Sequence, residues 1–186
     1  MTEDRVEIVR GEHAHDAPAV SVIIPAYKPV WLDDALESIR AQTLRAVEII
    51  VVDDGSPEPV RPARMDDLIL VRHANAGPGG ARNRGVDMAR APYIAFLDSD
   101  DVWLPTKLEK QLAFHRGMPE SVLSSTEVGA LGKIDPRYDM EQSRLKRYGI
   151  SGTVVPFEQL FYENPISCSS AMVQREAYLR AGGMAS

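Results

Sequence analysis

A single cysteine, Cys168, stands in 186 residues, so neither an internal disulfide nor a cysteine-rich zinc site can form. A lone thiol suits a reducing compartment. The cytoplasm is therefore the expected setting, with the inner face of the membrane as a place of peripheral attachment. No apolar run approaches the length of a membrane span, and the N-terminus lacks the basic-then-apolar order of a secretory signal. Positive charge is short too: 21 Lys and Arg stand against 27 Asp and Glu, a net charge of −6. A non-specific grip on nucleic acid needs a basic face, so no nucleic-acid partner is expected. There is no internal repeat and no low-complexity block. What remains, 44% hydrophobic and 26% charged, is the composition of a globular chain long enough for one domain with a substantial core.

Three apolar runs read as buried strands. They are Val20 to Ile24, ended by Pro25; Val47 to Val52, stopped by Asp53-Asp54-Gly55-Ser56; and Tyr93 to Leu97, stopped by Asp98-Ser99-Asp100-Asp101. Leu68 to Val71 adds a shorter strand. Trp31 to Gln42 carries Leu32, Leu36 and Ile39 at helical spacing, with Asp33 and Asp34 early, where the helix dipole favours negative charge. A second helix is expected from about Ala81 to Ala89. A third has Leu104, Leu108 and Leu112 on one face, Pro105 in its first turn, and Gly117 with Pro119 at its end. Val154 to Tyr162 reads as a short helix, Ser167 to Val173 as a late strand, and Arg175 to Ala181 as a helix closing at Gly182-Gly183. Residues 1–19 are polar and weakly patterned, which predicts a flexible N-terminal arm in which His13 and His15 are solvated. Lys133, Arg137, Arg144, Lys146 and Arg147 make a basic stretch that suits a solvated face or an anionic ligand equally. Strands alternating with helices imply an α/β domain whose mostly parallel sheet is covered on both faces.

Each long strand ends in something that can bind. In a parallel sheet those ends share one edge, where open α/β sheets place their ligands. Asp98 and Asp100 are two apart and on a strand-like backbone would project to the same side. Such oxygen ligands suit a Mg2+ or Mn2+ ion that also bridges phosphates. Gly77-Pro78-Gly79-Gly80-Ala81-Arg82-Asn83 leads into a helix, whose first amides attract anions, and Arg82 adds a fixed positive charge. Each feature has a plainer reading. Asp and Ser shape solvated turns, glycine-rich loops serve unusual dihedrals, and a surface arginine pairs to little effect. Trp103 reads as a packing anchor. Taken together, the parts compose a nucleotide-diphosphate site.

Four segments carry a resemblance: Ser21-Val22-Ile23-Ile24-Pro25-Ala26-Tyr27, Ile49-Ile50-Val51-Val52-Asp53-Asp54-Gly55-Ser56, Asn75 to Gly85, and Ala95-Phe96-Leu97-Asp98-Ser99-Asp100-Asp101. In order and spacing they resemble the successive motifs of family 2 glycosyltransferases, over roughly Val20 to Leu112. Weaker similarity runs from Ser169-Ser170-Ala171-Met172-Val173 to Gly182-Gly183. The resemblance implies the GT-A fold, a Rossmann-like three-layer sandwich with a mostly parallel central sheet. It implies one domain over residues 20–186, nucleotide-binding over 20–117 and a partial acceptor side over 118–186. The implied activity moves a sugar from a nucleotide-diphosphate donor, expected to be UDP-linked, to a saccharide, lipid or protein acceptor with help from Mg2+ or Mn2+.

Residue by residue, the resemblance implies that Pro25, Ala26 and Tyr27 line the nucleoside pocket, with Tyr27 stacking on the base. Asp54 would accept a hydrogen bond from the base edge, as a uracil imide N–H supplies. Gly79 and Arg82 would sit by the nucleotide and its diphosphate. Asp98 would approach the ribose or the metal's outer waters, Ser99 would belong to the nucleotide-sugar site, and Asp100 would ligate the metal directly, with Asp98 in the same metal site. Lys28 departs from the family, where Asn often follows the Tyr. Inverting members take their base from an acidic motif after a Gly-Gly segment like Gly182-Gly183. The sequence stops at Ser186, so a chain cut short of that motif is expected and no base is assigned. A homo-oligomer would cover apolar surface left by missing elements. The rival reading is a module that binds a nucleotide sugar or a partner without turnover. A haloacid-dehalogenase phosphatase would need Asp-x-Asp at the second strand, and Val52-Asp53-Asp54 lacks the first acid.

Overall fold

The structure, a computed structural model, describes residues 6–11, 17–128 and 166–185. The short helix expected over Val154 to Tyr162, the basic stretch from Lys133 to Arg147, and His13 and His15 all lie outside the described residues. Seven strands form one sheet: β1 (Glu7–Arg10), β2 (Val20–Ala26), β3 (Val47–Asp54), β4 (Leu68–His73), β5 (Tyr93–Phe96), β6 (Leu123–Ser124) and β7 (Met172–Gln174), in the spatial order β1-β4-β3-β2-β5-β7-β6. The middle strands β4, β3, β2 and β5 are mutually parallel, while β1, β7 and β6 join antiparallel at the edges. The helices are α1 (Leu32–Arg40), α2 (Gly77–Met88), α3 (Lys107–Gly117) and α4 (Arg175–Arg180).

The near-continuous apolar strands follow from burial on both faces. Val20, Val22, Ile24, Ile49 and Val51 pack with Leu32, Leu36 and Ile39 of α1 and Leu108 and Leu112 of α3. The alternate residues Ile23, Ile50, Val52, Ile69 and Val71 pack with Ala81, Val86 and Ala89 at α2. This is a three-layer sandwich. Small residues set the α2 spacing: a Cβ on Gly85 would lie 2.3 Å from Ile23 Cγ2, so a larger residue would push the helix off the sheet.

Several expectations are corrected. The N-terminal arm of residues 1–19 contains the edge strand β1, paired to β4 from Glu7↔Arg72 to Arg10↔Ile69. Edge pairing satisfies backbone groups without needing an apolar pattern, so composition did not reveal it. Pro25 does not end β2. The β2–β5 ladder finishes at Ile23↔Phe96, so the missing N–H breaks no bond there, and β2 stays paired with β3 through Ala26↔Asp53. Helix α2 begins at Gly77 rather than near Ala81, with Pro78 in the first turn where no amide donor is required. Helix α3 begins at Lys107. Leu104 is 80% exposed, and its carbonyl accepts Gln42 Nε2 at 2.8 Å instead of joining the helix face. The late strand is split into a 3-10 turn at Cys168–Ser170 and the strand β7.

Candidate active site

The carboxyl ends of β2, β3 and β5 open on a cleft of about 410 Å³ beside the first turn of α2. It is lined by Pro25, Ala26, Tyr27, Asp54, Arg82, Asp98, Ser99 and Asp100, and also by Asn75, Gly77 and Pro78. That volume is in the range of small-ligand sites. Of the residues singled out in the sequence, Gly79 is the one not brought to the lining. A Cβ there would meet the Ala185 carbonyl oxygen at 2.2 Å, so this glycine makes room for the C-terminal segment.

Adjacent residues of β3 face opposite ways and divide their work. Asp53 is buried, and its carboxylate accepts the amides of Ser56 at 2.9 Å and Val60 at 3.1 Å and pairs with Arg72. It builds the turn. Asp54, only 4% exposed, accepts the Ala76 amide at 2.7 Å through Oδ1, while Asn75 Nδ2 donates to its backbone carbonyl at 2.8 Å. The start of α2 is thereby tied to the end of β3. No side chain caps α2, and of its first turn Gly77 and Pro78 line the cleft, Gly77 alone with an amide to offer there. Tyr27 is half-exposed at the rim. Next to it Lys28 adopts a left-handed φ of 49°, donates its amide to Ser56 Oγ at 3.0 Å, and holds Nζ 5.1 Å from the Tyr27 ring centre.

The acidic segment is a turn, not a strand. β5 stops at Phe96, and Asp101 N–H donates to the Asp98 carbonyl at 3.1 Å. The same-side argument for Asp98 and Asp100 fails accordingly, although both still reach the cleft. Buried Arg82 forms an ion pair with Asp98. Ser169 holds both ends of the turn: its Oγ accepts the Asp98 amide at 3.0 Å, and its carbonyl accepts Trp103 Nε1 at 2.7 Å. Trp103 is 9% exposed and belongs to the core, as an anchor should. Among the described residues no three His, Cys, Asp or Glu converge as a ready-made metal cage. A Mg2+-type ion needs only one or two protein carboxylates when phosphates supply other ligands, so the exposed Asp100 with Asp98 fits that chemistry.

Ser169, Asn75, Gly77 and Pro78 were not assigned site roles from sequence. Asn75, Gly77 and Pro78 fall inside a motif already singled out. Ser169 is 71 residues from Asp98 in the chain, and nothing local announces the contact.

A mostly parallel sheet with a helix N-terminus and an acidic turn at its carboxyl edge is the arrangement of the GT-A glycosyltransferase fold, which solved structures share. S. aureus TarS 1-349 superposes with a TM-score of 0.63 at 20% identity, over 88% of this chain and 49% of that one. The Pyrobaculum calidifontis mannosyltransferase PcManGT, solved with GDP-Man and Mn2+, gives 0.64 at 18% identity, over 97% of this chain and 51% of that one. The sequence model of glycosyl transferase family 2 matches residues 21–182, and the chain belongs to that family. Succinoglycan biosynthesis protein ExoW of Rhizobium meliloti is 42% identical over 100 residues, 48% of this chain and 31% of ExoW. An uncharacterized glycosyltransferase of Rickettsia felis is 43% identical over 106 residues, 54% of this chain and 17% of that protein. The chain thus spans less than a third of these curated relatives. Among the described residues no helix is long and apolar enough to cross a membrane.

Proposed function

We propose that this chain binds a nucleotide-diphosphate sugar, UDP-linked, in the cleft and transfers the sugar to a hydroxyl acceptor. The observation that carries this reading is the convergence on one cleft of Tyr27, Asp54, Arg82, Asp98 and Asp100 from four separate parts of the chain. Structures of TarS with UDP-GlcNAc and of PcManGT with GDP-Man and Mn2+ support the class of donor. Tyr27 offers a ring face to the base, and Asp54 accepts from the base edge. Arg82 and the Gly77 amide at the start of α2 are the donors for the diphosphate. Asp100 and Asp98 would hold Mg2+ or Mn2+, which when bound supplies Lewis-acid neutralisation of leaving-group charge.

The acceptor oxygen forms a bond to the anomeric carbon as the bond from that carbon to the diphosphate breaks, and the electron pair leaves on phosphate. The acceptor hydroxyl passes its proton to a general base that is not assigned among the residues of this chain. Charge grows on the diphosphate, so donors placed beforehand around it stabilise the transition state more than the ground state. Calorimetric titration with UDP and Mn2+ tests the reading. Wild type is expected to bind in a Mn2+-dependent manner, and Asp100→Ala to lose roughly tenfold or more in affinity, the scale of one charge-assisted contact. Equal affinity for both proteins would reject the metal role, and release of UDP from a UDP-sugar would establish turnover.

A further inference from the structure

The acidic turn begins where a ladder gives out. β5 and β7 pair antiparallel from Tyr93↔Gln174 to Ala95↔Met172, and the same register carried three residues further sets Asp98 opposite Ser169. Bonded pairs alternate along such a ladder. Arg175 N–H donates to the Pro92 carbonyl at 2.8 Å, so Asp98 and Ser169 fall at a bonded position. The strands do not reach it. β5 stops at Phe96, and the facing chain turns off into the 3-10 turn at Cys168–Ser170. The Ser169 carbonyl, which a continuing strand would offer to Asp98, accepts Trp103 Nε1 at 2.7 Å instead. The hydroxyl takes its place, and Oγ accepts the Asp98 amide at 3.0 Å.

Ser169 is a fixed point, 6% exposed, on a turn tied down from several sides. Ser170 Oγ donates to the Ser167 carbonyl at 2.7 Å, and the Ser170 carbonyl accepts Gln111 Nε2 at 3.1 Å and the Thr126 amide at 3.2 Å. The Asp98 carboxylate is meanwhile paired through Oδ1 with Arg82 of α2. Main chain and side chain of Asp98 are thus set by two different segments, and Asp100 follows on the same turn.

We propose that Ser169 is a positioning residue for the divalent ion: its hydroxyl holds the acidic turn in the shape in which Asp98 and Asp100 meet that ion. Without the hydroxyl the Asp98 amide loses its acceptor and the turn samples other shapes. Ordering it then costs free energy at the moment of binding. Ser169 touches neither ion nor nucleotide and acts through the Asp98 main chain. The inference rests on the nucleotide-sugar reading of the cleft and adds the residue that sets its metal turn.

The test titrates UDP into wild type, Ser169→Ala and Ser169→Thr, once with Mn2+ and once with EDTA, and compares the ratio of the two affinities. Wild type should bind more tightly with Mn2+. Ser169→Ala should cut the ratio by roughly three- to tenfold, the scale of one hydrogen bond, and leave the affinity in EDTA unchanged. Ser169→Thr keeps the hydroxyl and should keep the ratio. A loss in Ser169→Thr equal to that in Ser169→Ala assigns the effect to packing and overturns the inference. Trp103→Phe frees the Ser169 carbonyl while keeping a ring in the core. It should lower the ratio too, and it replaces Ser169→Ala if that variant does not fold. A wild-type ratio in the variant so used, even with a lower melting temperature, overturns the inference and leaves nucleotide binding standing. Equal wild-type affinities with Mn2+ and with EDTA remove the metal reading and this one with it. Hydrogen exchange on the free protein tests the premise separately: an Asp98 amide that exchanges equally fast in wild type and Ser169→Ala overturns it.

Discussion

At the scale of single residues, chemically identical groups do unlike work because burial and partners differ. Asp53 and Asp54 are neighbours, yet one is consumed by its own turn and the other is presented to the cleft. Lys107 is the sharpest case. It is 7% exposed, its Nζ has no hydrogen-bond partner among the described residues, and it lies 3.8 Å over the Trp103 ring. Burial pushes its ammonium down from 10.5 to about 7, while the ring face opposes that shift. With the folded pKa below the unfolded one, the unfolded chain binds more protons between these values. Stability contributed by this group therefore rises with pH across that window, by at most about 1.4 kcal/mol per unit. Urea unfolding at pH 7.5 and 9.5 should show this gain in wild type and not in Lys107→Met. Equal slopes would mean that Trp103 keeps the ammonium charged.

At the scale of elements, α2 is where distant segments meet. Asn83 donates Nδ2 to the Met184 carbonyl at 2.8 Å, while its Oδ1 accepts the Met184 amide at 2.9 Å and the Tyr178 hydroxyl at 2.6 Å. The side chain pairs with that backbone much as a neighbouring strand would. Gly183, at φ 77°, is required both by this conformation and by space, since a Cβ would lie 2.5 Å from Asn83 Oδ1. Asn83→Ala removes three hydrogen bonds and should cost about 1–3 kcal/mol. Hydrogen exchange should show the loss of protection concentrated at the Met184 amide, with β2 and β3 unchanged. Uniform loss across the sheet would contradict a local clamp.

At the scale of the whole molecule, the two edges of the sheet have separate duties. The cleft-lining groups gather at the carboxyl ends of the strands. Near the amino ends, Glu48 is buried in the sheet, accepts Ser21 Oγ at 2.6 Å and Arg90 N at 3.0 Å, and pairs with Arg90 Nε at 2.7 Å. Removing this carboxylate takes the acceptor from the buried Ser21 hydroxyl and breaks the ion pair to Arg90. Glu48→Ala is expected to lower the unfolding free energy by about 3–5 kcal/mol, as broken buried pairs do. UDP affinity measured well below the melting temperature should stay unchanged, and a parallel loss of affinity would show that the edges are coupled.

Sequence alone determined the class of fold and most of the cleft lining, because strands buried on both faces must be apolar throughout and must stop where polar ligand groups begin. Val47 to Val52 followed by two aspartates is legible for that reason, and so is Phe96-Leu97 before the acidic turn. Tertiary structure alone decided the rest. Whether Pro25 broke β2 depended on where β5 stopped, and whether Gly79 faced ligand or chain depended on Ala185. The partner of Asp98 was Ser169 or Arg82 only once the chain had folded. Local pattern records burial, whereas the partner of a buried polar group is fixed by which distant segment packs against it.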